Sequence, residues 1–484
     1  MNQRTHLEER HLYLHLTYII VFSLLAIALL LPFVLQVSLI TTPNYNEGWN
    51  AFFALKAMRM ENLYSSPGTL VQNNYPPLSF YIVGLIGTLI GDQVIAGRLV
   101  SLASMLIVSF NIFLSVFLMT RDRFASVLSG LLYLAIMGAF FNEYIAMDDP
   151  QMLAHAFMTS ALVVFLRGWD RRMGLPLVAA LALAAGLTKH SILAFPMAAT
   201  LFILYRDRKA FLRWIAWSVL LFACVMAALL ALYGWSMVES IVSARVYSID
   251  KVRSGAFDLL AGLQIPLAFW VIVASMREGG RYALLISLYA FFAAAIGLFF
   301  YGGEGAGYNQ LFDLVIALVI GCGVGLSNLN RLLSTREFPD RILFRRTLPL
   351  LLFLGVILAT PGNLKDPFRV WHTLKDLEKQ NISDIQYLAS HEGPALCSSI
   401  VLCYWAGKEF EFDPFNIKQA VAMGKMDREQ VYERLREQYF RVIQLESGRN
   451  RGSGDFMDVF LELIETGYRV ERVSANGFFF VPKQ

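Results

Sequence analysis

Apolar runs separated by short polar turns make up most of the chain. A helix rises 1.5 Å per residue, so about 20 apolar residues cross the hydrocarbon core of a bilayer. The runs at 17–40, 94–119, 124–146, 151–167, 214–235, 257–276, 282–300 and 311–327 reach or approach that length. Two shorter runs, 176–188 and 190–205, flank "TKH" and are expected to pair as spans meeting at Lys189, and 347–360 is the last. The stretch 76–91, "PPLSFYIVGLIGTLIG", is too short to cross comfortably and is expected as an interfacial or re-entrant helix. The pattern predicts a polytopic α-helical membrane protein of about 11 spans.

Hydropathy falls after the last run. Over 363–484, short apolar segments ("PALCSSIVLCYW", "YFRVIQLES", "YRVERVSANGFFFVP") alternate with helical patterns ("REQVYERLREQ", "DFMDVFLELIETG"). These predict a small soluble α/β domain following a membrane module over 1–362. Cys224 and Cys322 fall in spans, where a thiol acts as a small apolar side chain; Cys397 and Cys403 fall in the C-terminal domain, where an oxidising compartment permits a disulfide without requiring one.

Composition supports the membrane setting, since 56% hydrophobic and 16% charged residues are too apolar for one soluble core. A net charge of +4, with Lys and Arg in short clusters, gives no nucleic-acid stripe. Charge reports topology instead. With a cytoplasmic N-terminus, 18 cationic residues fall on the inner side, including Arg121, Arg123, Arg277, Arg281 and Arg336, against 7 outside or at depth. The first apolar run is long and lacks a small-residue cleavage site, so it reads as an anchor. The first outer loop is 41–93, and the C-terminal domain is expected outside.

On that map the candidate chemistry gathers at one face. Glu47 lies in the first outer loop, Asp148 and Asp149 in the next outer turn ("AMDDPQ"), and Lys189 and His190 in the third. Ionisable residues near bilayer depth are costly, and their recurrence in successive outer turns points to a shared cleft. On a helix starting near Asn46, Glu47, Asn50, Ala54 and Glu61 share one face, while Trp49, Phe52, Phe53 and Met60 share another, expected to rest in the interface. Each reading has a plainer alternative. Glu47 can complement the helix dipole, Asp148 or Asp149 can cap the helix that Pro150 opens, Lys189 can snorkel, and His190 reads better as structural. Arg98, opening a span, serves equally as an interface anchor. The loop "YGGEGAGYNQLFD", with Glu304, Tyr308, Asn309 and Asp313, reads as a sugar-contacting or lid loop or as a plain turn. The "NIS" at Asn381 is a chance sequon.

The order of these features is similar to that in the bacterial GT-C glycosyltransferases related to family 39, which include protein O-mannosyltransferases and the lipid A aminoarabinose transferase. The resemblance covers roughly residues 17–330 and rests on the early acid, "NNYPPLSFYIVGLIG", a charged inner turn, "MDDPQ" and "GLTKHS". It implies transfer of a sugar, with inversion, from a polyprenyl-phosphate carrier to a glycan, lipid or protein acceptor on the periplasmic side of a bacterial inner membrane. By position, Glu47 and Asp149 match the family's acids and Lys189 the basic residue near the carrier phosphate. Members often show Asp-Glu in the first motif, where this chain has Asn46-Glu47, leaving one carboxylate.

Such a transfer needs a carboxylate base for the acceptor hydroxyl and fixed cations for the departing phosphate, whose low pKa removes the need for an acid. Glu47 is the expected base. Lys189 is the expected phosphate partner, with Arg245, Lys251 and Arg253 as weaker candidates, and Asp148, His190, Tyr75, Tyr308 and Asn309 are expected to contact substrate. No metal signature is present, although two or three carboxylates in one cleft could hold a divalent cation. The competing class is a transporter or flippase of a lipid-linked or small polar substrate, against which stands the lack of an internal repeat. A scaffold carrying the outer domain would not call for acids in two successive outer turns.

Overall fold

A computed structural model describes residues 2–64, 69–242, 245–275, 282–335, 341–446 and 455–483. Arg277, Arg281 and Arg336, counted above toward the inner loops, lie outside the described residues. The first half of the chain forms α1 (Asn2–Val34), α2 (Tyr45–Met58), α3 (Leu78–Ile90), α4 (Gln93–Thr120), α5 (Arg123–Phe140), α6 (Pro150–Gly168), α7 (Gly174–Thr188) and α8 (Ala194–Arg206). There follow α9 (Arg208–Tyr233), α10 (Ser236–Ile241), α11 (Ile249–Gly262), α12 (Gln264–Ser275), α13 (Ala283–Tyr301), α14 (Phe312–Thr335) and α15 (Arg341–Asn363). Among the described residues, seven segments are long and apolar enough to cross a membrane: Tyr13–Val34, Gln93–Thr120, Arg123–Phe140, Arg208–Tyr233, Ala283–Tyr301, Tyr308–Leu333 and Arg346–Asn363. The segment through α14 is the most enclosed and α9 the most peripheral.

Two boundaries differ from the hydropathy pattern in ways that matter. The run 124–146 ends as a helix at Phe140; a short 3₁₀ turn over Asn142–Tyr144 and a left-handed Ala146 (φ 52°) follow. The polar "NEY" stops the helix, and the freed loop carries Asp148 and Asp149. The run 257–276 is not one span. α11 begins at Ile249, and the chain breaks between Gly262 and Gln264; Pro266 then sits in the first turn of α12, where its missing N–H costs nothing. α7 and α8 meet as expected at Lys189, whose backbone is extended (φ −150°, ψ 115°).

The C-terminal part forms α16 (Pro367–Ser390), β1 (Ala395–Cys397), α17 (Ile400–Trp405), α18 (Pro414–Ala422), α19 (Glu429–Arg436), β2 (Val442–Leu445), α20 (Asp455–Gly467), β3 (Tyr468–Ser474) and β4 (Gly477–Pro482). The sheet order is β1-β2-β4-β3, with β1 parallel to β2 and the other pairs antiparallel. Cys397 and Cys403 are joined by a disulfide that ties β1 to α17. Cys322 is buried in α14 and Cys224 is exposed on α9. Asn381 is buried, donating to the Ile40 carbonyl at 2.8 Å, so the "NIS" asparagine is structural.

This domain lies on α2. A Cβ on Gly48 would strike the backbone of Val401, so glycine is what lets α17 touch α2. Phe52 stacks on Phe410 at 5.0 Å, and Trp49 Nε1 donates to Asp413 Oδ2 at 3.0 Å. The aromatic face of α2, expected in the interface, is therefore protein core: Trp49, Phe52 and Phe53 are buried with Phe80, Tyr233 and Ile400. The helix stops at Met58, leaving Met60 and Glu61 exposed beyond it. Gly48→Ala should undock the C-terminal domain, because backbone cannot yield as a side-chain tip can. Overpacking costs typically 1–3 kcal/mol, so the expected result is a lower Tm and faster proteolysis of the 364–483 region; an unchanged Tm and digestion pattern would refute the close contact.

Candidate active site

The site is built around an ion pair. Asn44 caps α2, accepting from Asn46 N–H at 2.9 Å, and this sets Glu47 in the first turn with its side chain fully buried. Arg98, in the second turn of α4, is also completely buried. Its guanidinium meets both carboxylate oxygens, Nε to Oε1 at 2.8 Å and Nη2 to Oε2 at 2.7 Å. The remaining donors reach the carbonyls of Gln36, Leu39 and Thr41 at 3.2, 2.7 and 2.9 Å. Planar five-donor geometry suits that many partners, which a lysine could not match. Arg98 is thus no interface anchor: it joins the end of α1, α2 and α4.

α2 then holds the second acidic turn. Asp148 N–H donates to Glu47 Oε1 at 3.2 Å, and Asn50 Nδ2 donates to the Asp148 carbonyl at 2.7 Å. Residues 47 and 50 act together because they lie one turn apart on one face. The Asp148 carboxyl lies on Gly97 of α4, where a Cβ would collide with it. Burial, with Glu47 and Asp149 close by, raises its pKa well above the carboxylate range, and Arg98 only partly offsets this.

Asp149 caps α6, Oδ1 accepting from Gln151 N–H at 2.7 Å, and the same oxygen lies 3.3 Å from Lys189 Nζ. Oδ2 is buried without a partner. Lys189 is 3% exposed and stands 4.7 Å over the Tyr75 ring. Burial pulls its pKa down, but Asp149 and Tyr75 more than restore it, so the ammonium keeps its charge. Tyr75 packs edge-on to Trp49 at 5.1 Å. Glu47, Asp148, Asp149, Lys189 and Tyr75 thus form one cluster. Asn50, Ser79, Asp148 and Asp149 line a cavity of about 10 Å³, room for roughly one water; Asn50 Oδ1, Ser79 Oγ, Asp148 Oδ2 and Asp149 Oδ2 are all buried there without partners.

Other expected contacts stand farther out. His190, edge-on to Phe300, is held neutral: burial and the charges of Lys189 and Arg245 lower its pKa to about 4. Arg245 donates to the Glu304 carbonyl at 3.3 Å and lies 5.8 Å over Phe415. Lys251 Nζ donates to the carbonyls of Gly303 and Ala306 at 2.9 and 2.7 Å, and Arg253 forms only an exposed pair with Asp250. Tyr308 donates to Asp258 at 2.9 Å, whereas Asn309 is buried with Oδ1 unpartnered. Gly305 abuts Phe415 of α18, so the glycine loop is clamped under the C-terminal domain. Asp313 accepts from Tyr289 at 2.8 Å and faces His155 Nδ1 at 3.3 Å; His155 contacts Gln151 at 2.9 Å, which makes a polar spine inside the bundle. Tyr144, which the loop residue Gly307 closely approaches, and His155 went unremarked in the sequence. Among the described residues, no group of three or more His, Cys, Asp or Glu side chains is placed to hold a metal.

The architecture is shared with solved glycosyltransferases. ArnT from Cupriavidus metallidurans in the apo state superposes with a TM-score of 0.62 at 14% identity, covering 96% of this chain and 97% of that one. The undecaprenyl phosphate-bound form of that ArnT gives 0.61 at 15% identity, over 96% and 98%. The Archaeoglobus fulgidus oligosaccharyltransferase in the apo form gives 0.59 at 13% identity, over 98% of this chain and 75% of that one. No protein-family model matches the sequence, and no curated protein does. The fold is that of the GT-C class: a polytopic helical module with a small C-terminal α/β domain.

Arg98→Ala leaves Glu47 buried and unpaired, a change that costs about 3–5 kcal/mol in comparable pairs. The expected outcome is loss of folded protein by size-exclusion chromatography, with partial recovery in Arg98→Met/Glu47→Met; a stable single mutant would show the pair to be dispensable. For Asp148 the sign follows from its raised pKa. Its favourable contribution is complete below the ordinary carboxylate pKa and is lost as pH rises through the folded value. Asp148→Asn should therefore gain thermal stability relative to wild type as pH increases, and parallel Tm profiles would contradict the raised pKa.

Proposed function

We propose that the protein is an inverting glycosyltransferase that moves a sugar from a polyprenyl-phosphate carrier to a hydroxyl of a cell-envelope glycan, lipid or protein. In this reading it works in a bacterial inner membrane, with its site and C-terminal domain on the periplasmic side. The observation that carries the reading is the buried pair of Asp149, with one free oxygen, and Lys189, still charged, at one end of the helical bundle. The fold match supports it, as does undecaprenyl phosphate bound to the similar ArnT and an acceptor peptide tethered to the similar oligosaccharyltransferase.

Glu47 was the expected base, but both of its carboxylate oxygens are engaged by Arg98, so neither is free to face an acceptor hydroxyl. We assign proton acceptance to Asp149 and give the Glu47–Arg98 pair the task of positioning Asp148 and Asn50. Lys189 turns its charge to the carrier phosphate when donor enters. That weakens its hold on Asp149 and makes the carboxylate a better base when one is needed. The acceptor O–H proton passes to Asp149 Oδ2, the oxygen attacks the anomeric carbon, the carbon–oxygen bond to phosphate breaks, and polyprenyl phosphate leaves as an anion. One displacement gives inversion. Arg245 and His190 border the donor, with Tyr75, Tyr308 and Asn309 on its sugar and phosphate.

The unpartnered oxygens of Asn50, Asp148 and Asp149 fit a hard divalent cation, and these residues would hold one. It would offset phosphate charge. No step above runs through it.

Asp149→Asn should stay folded yet lower turnover of a lipid-linked donor by about 10²–10⁴, while Lys189→Met should chiefly weaken donor binding. Turnover at the wild-type rate in Asp149→Asn, or retention in the product of the anomeric configuration, would remove this assignment. Absence of turnover with any lipid-linked sugar, alongside substrate uptake into proteoliposomes, would favour a transporter.

A further inference from the structure

A groove lined by two cations lies away from the acids. α1 and α15 finish at the same end of the bundle, and α16 starts there; between them is a groove of about 490 Å³. Pro32, Phe33 and Gln36 form one wall, and Lys365, Arg369 and Leu374 are on the other. Lys365 Nζ lies 5.1 Å over the Phe33 ring, and among the described residues neither Lys365 nor Arg369 is paired with a carboxylate. Asp366, the one acid in the groove, spends an oxygen capping α16 through Phe368 N–H at 3.0 Å. Beside the cations, Leu364 and Phe368 project at 55% and 80% exposure. Apolar side chains exposed where two membrane-length helices end are solvated by lipid, and cations beside them meet headgroups.

The geometry points to a binding site for an anionic phospholipid, its phosphate between Lys365 and Arg369 and its acyl chains along Pro32, Phe33 and Leu364. The net positive lining complements an anionic headgroup and gains less from a zwitterionic one. The lipid would sit behind the loop 35–41, whose carbonyls hold Arg98 and whose Ile40 is braced by Glu378 and Asn381 of α16. The site is independent of the transfer reaction and of its donor.

The test replaces Leu374 with the photocrosslinker p-benzoylphenylalanine in the full chain, reconstituted in vesicles of equal phosphatidylglycerol and phosphatidylcholine. Mass spectrometry of the adduct should show phosphatidylglycerol favoured by about 5-fold or more. Lys365→Gln/Arg369→Gln should bring the ratio near that of the bilayer without altering Tm, since both side chains are exposed. Equal capture of the two lipids, or a preference that survives the double substitution, would overturn the site.

Discussion

A guanidinium without water is the constraint on which the rest is arranged. Arg98 is removed from solvent inside a helical membrane module, where an unpaired charge costs several kcal/mol after relaxation. Its compensation comes from two places, a carboxylate on α2 and carbonyls from the irregular segment after α1, both brought to α4. Buried polar backbone in such a protein is tolerated only where partners exist, and Arg98 is the partner for 36–41. Once Glu47 is fixed, the Asp148 amide and carbonyl are held by Glu47 and Asn50, and Asp149 is placed at the head of α6. Asp149, which faces the ammonium of Lys189, thus inherits its position from the Glu47–Arg98 pair.

Much of this was legible from the sequence. Apolar length found the helices, the drop in hydropathy at 363 matched the end of α15, and the spacing of Glu47, "MDDPQ" and "TKH" named residues that come together. Periodicity tells which side chains share a face but not what covers it. Trp49, Phe52 and Phe53 share a face as the periodicity implies, yet much of their cover is Phe410 and α17, supplied from some 350 positions later in the chain. Arg98 was visible as a charge in an apolar run, but nothing local separates an anchor from the partner of Glu47. The break at Gly262–Leu263 was hidden because hydropathy counts composition and ignores backbone geometry, and Phe140 ends its helix because of the polar triplet behind it.

The C-terminal domain belongs to the site. Asp413, wholly buried, accepts from Tyr45 and Trp49 of α2 and from Asn416, and Trp405 Nε1 donates to Asp92, the cap of α4, at 2.7 Å. Both helices that contribute the central ion pair are therefore held at their first turns by the same domain. The glycine loop after α13 is held from above by Phe415.

The contact of Gly48 with Val401 also fixes an order of events in biogenesis. α2 is among the first segments made, and Tyr75, Phe80 and Tyr233 can cover part of its aromatic face early, but Ile400 and Phe410 complete that cover only after residues near 400–413 have been synthesised. Until then α2 lacks part of the contacts that hold its register. Such long-range closure is slow to form. It also means that a chain stalled partway through synthesis lacks the Asp413 and Trp405 contacts that hold the first turns of α2 and α4.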